Sequence, residues 1–300
     1  MTTSASKVIG LAIAPPYYSV PRSLEPWECR VIGSHVAVGG GLVKVGLAEA
    51  REVGAEIIQL FGGNPRSWAP RAADPAADEA FREACEIPVV LHAPHLINLC
   101  SPSERVLKQS VDALELCLER AAAIGAGMVV VHAGSLVDGT RRTTVLNGLH
   151  DVIAPILDRT DVRLLIEPTA GGGEAAAANL ETTGDYIQAV NDERVGVCLD
   201  TCHLHAAGED LAKITTDLPV ALLHVNDSRD PQGSRRDRHE SLGRGTIGVP
   251  ALEAFLKNFP DVPMLVETPT HAEDVALLKE LTRNGAAGSG GRPPVGSSTG

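Results

Sequence analysis

Eight short apolar runs constrain the fold of this chain more than any other feature. They read RVIGSHV, AEIIQLF, IPVVLHAP, GMVVVHAG, VRLLIEP, VGVCLDT, ALLHVND and VPMLVETP. Most are separated by segments such as RVLKQSVDALELCLERAAAIGA, where apolar residues recur every three or four positions, as in an amphipathic helix. Strands that are apolar on both faces are typical of a buried parallel sheet. We therefore predict an α/β fold, a (β/α)₈ TIM barrel with its active site at the C-terminal rim of the strands.

An open, doubly wound sheet is the structural alternative. It is disfavoured because no G-x-G-x-x-G motif follows the first apolar run.

The two ends of the chain lie outside the repeating pattern. Residues 1–28 carry Pro15, Pro16 and Pro21 and are predicted to be an N-terminal extension to a barrel domain at 29–282. The segment NGAAGSGGRPPVGSSTG is rich in Gly, Ser and Pro, so residues 283–300 are predicted to be a disordered tail. The early run VIGLAIA makes only a weak signal peptide because PPYY follows it, which favours a cytoplasmic protein.

Composition restricts the class of protein. A chain of 300 residues with 44% hydrophobic and 21% charged residues is an ordinary globular protein, and no apolar run reaches the roughly 20 residues of a membrane-spanning helix. The net charge of −12 argues against a general nucleic-acid binder. The six cysteines have no regular spacing, so a disulfide framework is not expected. Cys29, Cys85 and Cys117 are expected to be small core residues.

Ionisable side chains end six successive predicted strands. They are His92, His132, Glu167, Asp200, His224 and Glu267, with His203 just beyond Asp200. One histidine at a strand end is more often a hydrogen-bonded core residue, but six successive ends with only His or carboxylate are hard to assign to chance. The ends of parallel barrel strands meet at one rim, where this many buried ionisable groups would be costly without compensation. Divalent metal ions supply that compensation.

The segment after the seventh run, SRDPQGSRRDRHESLGRGTIG, adds a second metal signal. Asp237 and His239 are two residues apart, so in an extended segment their side chains point the same way and could bind one ion together with His203. The nine candidate ligands exceed what one tetrahedral ion uses, which implies two or three ions. Mixed imidazole and carboxylate ligands favour Zn²⁺, with Mn²⁺ or Fe²⁺ as substitutes.

The cysteines of VGVCLDTCHLHAAGED are not the expected ligands. Cys198 shares strand parity with Asp200 and should lie one layer deeper in the barrel, whereas Cys202 could approach the site and stays an open alternative.

Longer motifs occur in a fixed order from about Gly33 to near Leu281. They are GSHVAVGGGL, LHAPHLINLCSPS, VVHAGS, IEPTAGGG, VGVCLDTCHLHAAGED, HVNDSRDPQGSRRDRHESLGRGTIG and PMLVETP. With these motifs the chain resembles the endonuclease IV family of apurinic/apyrimidinic endonucleases. The resemblance implies a (β/α)₈ barrel with three zinc ions that cleaves double-stranded DNA 5′ to abasic sites.

The resemblance also assigns roles to the strand-end residues. It implies that His92 and His132 hold a first zinc ion and that Glu167 bridges it to a second. Asp200, His224 and Glu267 complete the second site, and His203, Asp237 and His239 form the third. Glu167 and Glu267 are the catalytic candidates, with Glu267 orienting a metal-activated water, and the products are a 3′-hydroxyl and a 5′-deoxyribose phosphate. The family precedent is a monomer, and no protein partner is implied.

DNA contacts are expected from the rim loops. GGNPRSW resembles the loop that enters the duplex, where Arg66 and Trp68 would fill the space of a displaced nucleotide; alternatively, Trp68 packs on the next helix. Arg229, Arg235, Arg236 and Arg238 concentrate positive charge after the seventh run. The full set of predicted DNA-facing residues is His35, Asn64, Arg66, Trp68, His95, Arg235 and Arg238.

Three positions depart from the family pattern. His95 stands where some relatives carry Tyr, Pro168 stands where Asn is usual, and Gly63 replaces a Lys. These changes leave the metal ligands alone and bear on DNA affinity and lesion preference.

Two rival functions remain open at the sequence level. A metal-dependent sugar isomerase or epimerase of the same barrel superfamily would need fewer metal ligands and has no use for the DRH pair or the arginine-rich segment. A non-catalytic binder of damaged DNA would not need complete ligand sets.

Overall fold

The computed structural model describes residues 30–69 and 74–287, which form a closed barrel of eight parallel strands in the order β1-β10-β7-β6-β5-β4-β3-β2. The strands are β1 (Ile32–His35), β2 (Ile58–Phe61), β3 (Val89–His92), β4 (Met128–His132), β5 (Arg163–Glu167), β6 (Val195–Asp200), β7 (Val220–His224), β8 (Asp227–Ser228), β9 (His239–Glu240) and β10 (Met264–Val266). The helices are α1 (Leu47–Glu52), α2 (Pro75–Ala84), α3 (Glu104–Ile124), α4 (Arg142–Leu157), α5 (Leu180–Val190), α6 (Thr201–Ala207), α7 (Val249–Leu256) and α8 (His271–Ala287).

All eight predicted barrel strands are present, so the predicted (β/α)₈ fold is confirmed. Successive strand residues point alternately into the barrel and towards the helices. The inward residues form one apolar cluster, which consists of Ile57, Val90, Met128, Val130, Leu165, Cys198, Leu222 and Leu265. The outward residues join the helices in two larger clusters.

The helices begin and end as their sequences suggest. The Ser103 hydroxyl caps α3 by accepting from the Val106 amide, and α3 ends at Gly125 in the left-handed conformation, with φ of 77°. Between these residues Leu114, Leu118 and Ala121 are buried on one face. Because these residues recur every three or four positions, they form one apolar face that packs α3 against the barrel.

The loop after β7 folds around one buried carboxylate. Asp227 begins the small antiparallel β8–β9 pair, and its side chain accepts four backbone N–H groups. The donors are Ser228 and Ile247 to Oδ1, at 2.8 and 2.9 Å, and Gly243 and Gly248 to Oδ2, at 3.0 and 3.2 Å. Four donors on one carboxylate fix the shape of a loop that has little regular structure of its own.

The C-terminal helix α8 continues to Ala287, five residues beyond the predicted domain boundary at 282. The two alanines at its end are strong helix formers and sit after the Asn-Gly pair that suggested an earlier stop. The predicted extension at residues 1–28, Cys29 and the tail from 288 onward lie outside the described residues. None of the described helices is long and apolar enough to cross a membrane. The cysteines from Cys85 onward are all free thiols.

Candidate metal centre

A polar layer lies directly above the apolar interior of the barrel. Each member stands two residues after an interior residue, on the same side of its strand: Gln59, His92, His132, Glu167, Asp200, His224 and Glu267. The strand register pairs His132 with Glu167 and Asp200 with His224. Strand parity therefore brings the six predicted strand-end residues together at one rim.

Glu167 lies at the middle of this layer. Its Oε2 is 3.1 Å from His92 Nε2 and 3.3 Å from His132 Nε2, whereas its Oε1 is 3.0 Å from His224 Nδ1. One carboxylate thus faces two imidazoles on one side and a third on the other, the placement that a bridging ligand requires. Burial raises the pKa of Glu167, but His224 and His132 outweigh burial and lower it well below its usual range.

A second group surrounds His224. Ligand atoms of Glu167, Asp200, His224 and Glu267 all lie within 4.8 Å of one another. Nδ1 of His224 is 3.0 Å from Glu167, 3.3 Å from Glu267 and 3.9 Å from Asp200. One N–H cannot satisfy three carboxylates, whereas a divalent cation bound among them can.

A third group contains the three predicted residues His203, Asp237 and His239. Asp237 lies 3.2 Å from His203 Nε2 through Oδ2 and 3.1 Å from His239 Nε2 through Oδ1. Nε2 of His239 is buried, yet the angles leave it without a hydrogen bond. A buried nitrogen that faces carboxylates without a hydrogen bond fits a metal ligand.

Asp200 performs two tasks with its two oxygens. Oδ1 accepts from the His203 amide at 2.9 Å and caps α6, while Oδ2 lies 3.5 Å from His239 Nε2. Helix capping and ligation are therefore compatible at this residue.

Backbone carbonyls orient three of the imidazoles. Nδ1 of His92 faces the Ala93 carbonyl at 2.7 Å, Nδ1 of His203 faces the Pro168 carbonyl at 3.0 Å, and Nδ1 of His239 faces the Glu267 carbonyl at 3.4 Å. Because a carbonyl only accepts, Nδ1 must carry the hydrogen. The Nε2 lone pairs are then left to face the carboxylates and any bound ion.

Two uncharged residues complete the centre, and the sequence analysis missed both. Gln59 accepts from His224 Nε2 at 2.9 Å and donates to Glu267 Oε1 at 2.6 Å. Asn226 donates to Asp200 Oδ2 at 2.7 Å and accepts from the Glu267 amide at 2.8 Å. A polar residue inside the apolar run AEIIQLF, at ligand parity, was the available signal for Gln59.

The electrostatics of the centre favour protonated imidazoles where no metal is bound. Burial lowers the pKa of His203, His224 and His239, but nearby groups outweigh it. Asp200 and Asp237 raise the pKa of His203 well above its usual range, and Glu267 and Glu167 do so for His224. The pKa of His239 is raised to about 9, chiefly by Asp200 and Asp237. Metal ions binding here must displace these protons.

The two cysteines near the centre differ in position. Cys198 belongs to the apolar interior cluster, one layer below the ligands, as predicted. Cys202 places its sulfur within 4.8 Å of ligand atoms of Asp237 and His239. Burial raises the pKa of both thiols to about 12. Cys202 therefore stays a candidate ligand on position alone.

The loop after β2 contains a side-chain hydrogen bond to its own backbone. The Asn64 side chain accepts from the Arg66 amide at 3.0 Å, and Arg66 is exposed. Trp68 is half-buried and packs against the main hydrophobic cluster. His35 lies beside the centre, with Nδ1 3.7 Å from Glu267 Oε1.

The arginines after β7 are partly neutralised by acidic neighbours. Arg238 binds Asp230 through two guanidinium nitrogens, with Nε at 2.6 Å from Oδ2, and Arg236 lies 3.5 Å from the same carboxylate. Arg229 is 3.3 Å from Glu240. Arg235 is exposed and has φ of 57°, a conformation that is uncommon outside glycine. Of the two arginines of this segment that were predicted to face DNA, Arg238 is thus already engaged within the loop.

Comparison with known proteins identifies the family of this chain. A family model described as a xylose isomerase-like TIM barrel matches residues 47–286. Probable endonuclease 4 of Streptomyces coelicolor is 43% identical over 277 residues, covering 83% of this chain and 94% of the relative. Probable endonuclease 4 of Mycobacterium marinum is 38% identical and covers 83% and 98%. The chain belongs to the endonuclease IV family.

Solved structures with the same barrel include endonuclease IV and proteins of other kinds. Endonuclease IV from Thermus thermophilus superposes with a TM-score of 0.71 at 33% identity, covering 86% of this chain and all of that one. A D-tagatose 3-epimerase-like protein gives the same TM-score of 0.71 at 17% identity, which shows a shared barrel only. The family resemblance predicted from the motifs is confirmed.

Proposed function

We propose that this endonuclease IV family member hydrolyses the phosphodiester on the 5′ side of abasic sites in double-stranded DNA. The products would be a 3′-hydroxyl and a 5′-deoxyribose phosphate, as in base excision repair. The observation that carries the proposal is the convergence of nine imidazole and carboxylate side chains at one rim. A sugar isomerase or epimerase, with one or two metal ions, would have no need for the group formed by His203, Asp237 and His239.

Three divalent ions fit the donor groups. His92 and His132 would hold the first with Glu167, the other face of Glu167 would join Asp200, His224 and Glu267 at the second, and His203, Asp237 and His239 would hold the third. This donor chemistry suits Zn²⁺, with Mn²⁺ or Fe²⁺ as substitutes. Bound ions of this kind lower the pKa of water and neutralise charge on phosphodiester oxygens.

Glu267 is the residue best placed to orient the attacking water. Gln59 fixes its Oε1 at 2.6 Å, and its backbone amide is held by Asn226 at 2.8 Å. Burial raises its pKa, but His224 and His35 outweigh burial and lower it well below its usual range. An ionised carboxylate that is held in one position can accept a hydrogen bond from water and thereby orient it.

DNA would bind along the same rim through His35, Asn64, Arg66, Trp68, His95, Arg235 and Arg238. The net charge of −12 is compatible with this because Glu167, Asp200, Asp237 and Glu267 face the proposed cations. We propose that the protein acts in the cytoplasm as a monomer. Gel filtration would test the monomeric state by measuring the mass in solution.

The deciding experiment is incision of a labelled duplex that contains one tetrahydrofuran abasic analogue, with metal content measured on the same sample. This analogue cannot undergo β-elimination, so a product cut on its 5′ side requires hydrolysis. We expect incision by the metal-loaded protein and a loss of at least about 100-fold in Glu267→Gln, because the variant lacks the ionised carboxylate.

Glu280→Gln is the matched control, since Glu280 is an exposed residue of α8 away from the rim. A fully metal-loaded protein that leaves the duplex intact would contradict the proposal. Turnover of a ketose by that same sample would then support an isomerase or epimerase.

A further inference from the structure

A third imidazole lies beside His92 and His132. Ring nitrogens of His92, His95 and His132 all lie within 4.8 Å of one another. The ring centres are 5.2 Å apart for His92 and His95, 5.0 Å for His95 and His132, and 5.2 Å for His92 and His132. The three rings form a nearly equilateral triangle above β3 and β4.

This spacing matches imidazoles that share one ion. With a metal–nitrogen distance of about 2.0–2.1 Å and tetrahedral angles, two ligated imidazole rings have centres about 5.2 Å apart. Imidazole pairs that belong to different proposed ions are wider, at 5.8 Å for His132 with His203 and 6.1 Å for His92 with His224. The triangle that includes His95 has the compact spacing on all three of its sides.

The backbone and a neighbouring ring hold His95 in this position. Its amide donates to the Pro65 carbonyl at 3.0 Å, which ties it to the loop after β2. Its ring stands edge-on to Phe61 with centres 5.3 Å apart. His92 is buried to 2% exposure, whereas His95 is exposed, so His95 approaches the pair from the solvent side.

We propose that His95 is a third imidazole ligand of the first metal ion, beside His92 and His132. With Glu167 as the fourth ligand, the ion would have three nitrogens and one oxygen, a complete tetrahedral set. This inference rests on the proposed metal centre and adds a ligand to it. It gives His95 a role in metal retention that is separate from DNA contact.

Metal retention tests the inference without any DNA. Zinc-loaded protein is titrated with a chromophoric chelator while bound zinc per chain is measured, and the visible absorption of the Co²⁺-loaded protein is recorded. We expect His95→Gln to weaken one ion by about 10–100-fold and to change the cobalt spectrum. His95→Cys should restore tight binding, because a thiolate is also a good zinc ligand.

Two other variants make the result decisive. His132→Gln removes an interior ligand and should weaken the same ion, while His271→Gln removes a histidine that faces Glu49 on another part of the molecule and should change nothing. If His132→Gln loses the ion and His95→Gln keeps both wild-type affinity and spectrum, the inference is wrong and the metal centre stands. If none of the variants affects bound zinc, the metal centre and the proposed function fail together. Far-UV circular dichroism confirms that each variant is folded.

Discussion

One amide side chain links three parts of the centre. Gln59 is fully buried, and it meets His224 through its oxygen and both Glu267 and His35 through its nitrogen. The bond to His224 Nε2 requires that nitrogen to carry the hydrogen, so Nδ1 is left to face the carboxylates. Gln59 therefore acts on the proposed second ion through its neighbours and without touching it.

Replacing Gln59 with Leu should weaken metal binding and lower stability. Leucine has a similar size but removes the hydrogen bonds of Gln59 to His224 Nε2 and Glu267 Oε1, at a cost of about 1–3 kcal/mol each. We expect metal affinity to fall by about 10–100-fold, measured by chelator competition, together with a lower melting temperature. Gln188→Leu, on the exposed side of α5, is the control. Wild-type metal affinity in Gln59→Leu would show that the amide does not orient His224.

At the residue scale, the sequence predicts the charged part of the centre better than its uncharged part. A histidine or carboxylate at the end of a buried strand is conspicuous because burial penalises its charge. Gln59 carries no charge and lies within an apolar run, so the sequence gives no comparable reason to assign it to the centre. The carbonyls that orient His92 and His203 belong to Ala93 and Pro168. Every residue has a backbone carbonyl, so residue type cannot predict these contacts.

The segment after β7 is the element on which the third group depends. Asp237 and His239 reach the rim from a segment that is closed by the short β8–β9 pair, and Asp227 fixes that pair through four N–H groups. Gly245 is required beside it, since a Cβ there would lie 2.4 Å from both Asp227 Oδ1 and the Ser228 carbonyl oxygen. The position of two ligands is thus set by a residue that is not a ligand.

Asp227→Asn should disturb this element while sparing the barrel. The asparagine NH₂ would replace one oxygen and face backbone donors, which leaves buried N–H groups unpaired at about 1–3 kcal/mol each. We expect the variant to lose the ion at the third group and to keep those bound to the strand ends, as seen in zinc content after mild chelation. Asp217→Asn, at an exposed position before β7, is the control. Full zinc retention by Asp227→Asn would contradict this role.

At the element scale, the strands were predictable and the loop shapes were not. Period and composition define a strand locally, and all eight barrel strands follow from them. The β8–β9 pair is only two residues on each side, and the register of β6 shifts between Val197 and Cys198. Such features depend on contacts between distant segments, which single-sequence patterns do not contain.

The charge balance of the metal centre affects the stability of the whole molecule. The carboxylates Glu167, Glu267 and Asp237 have lowered pKa values and the imidazoles His203, His224 and His239 have raised ones. Without metal, the protonated imidazoles neutralise the carboxylates. With metal, the ions take over that function. Protons and metal ions are therefore alternative counterions in the same space.

This exchange predicts opposite pH trends for stability and metal affinity. A histidine whose pKa is raised in the folded state stabilises it fully below the unfolded pKa, and that contribution is lost as the pH rises through the folded value, about 9 for His239. The melting temperature of the metal-free protein should therefore fall from about pH 7 to pH 10, while zinc affinity rises because fewer protons are displaced. Thermal melts and chelator competition across this range provide the measurement. A His239→Gln variant should show a shallower fall, and a flat melting profile for the unsubstituted protein would contradict the account.

The alternation of inward and outward residues along each strand limits how the length of this protein can vary. Glu167 faces the rim and Ile166 faces the helices, so deleting one residue from β5 would exchange a ligand for an apolar side chain. Deleting two residues would keep each side chain on its original face of the strand but would move the ligand one layer deeper into the barrel. Insertions in the surface loops away from the rim have neither effect. Length differences among natural variants of this chain should accordingly be confined to loops, with the eight barrel strands constant in residue number.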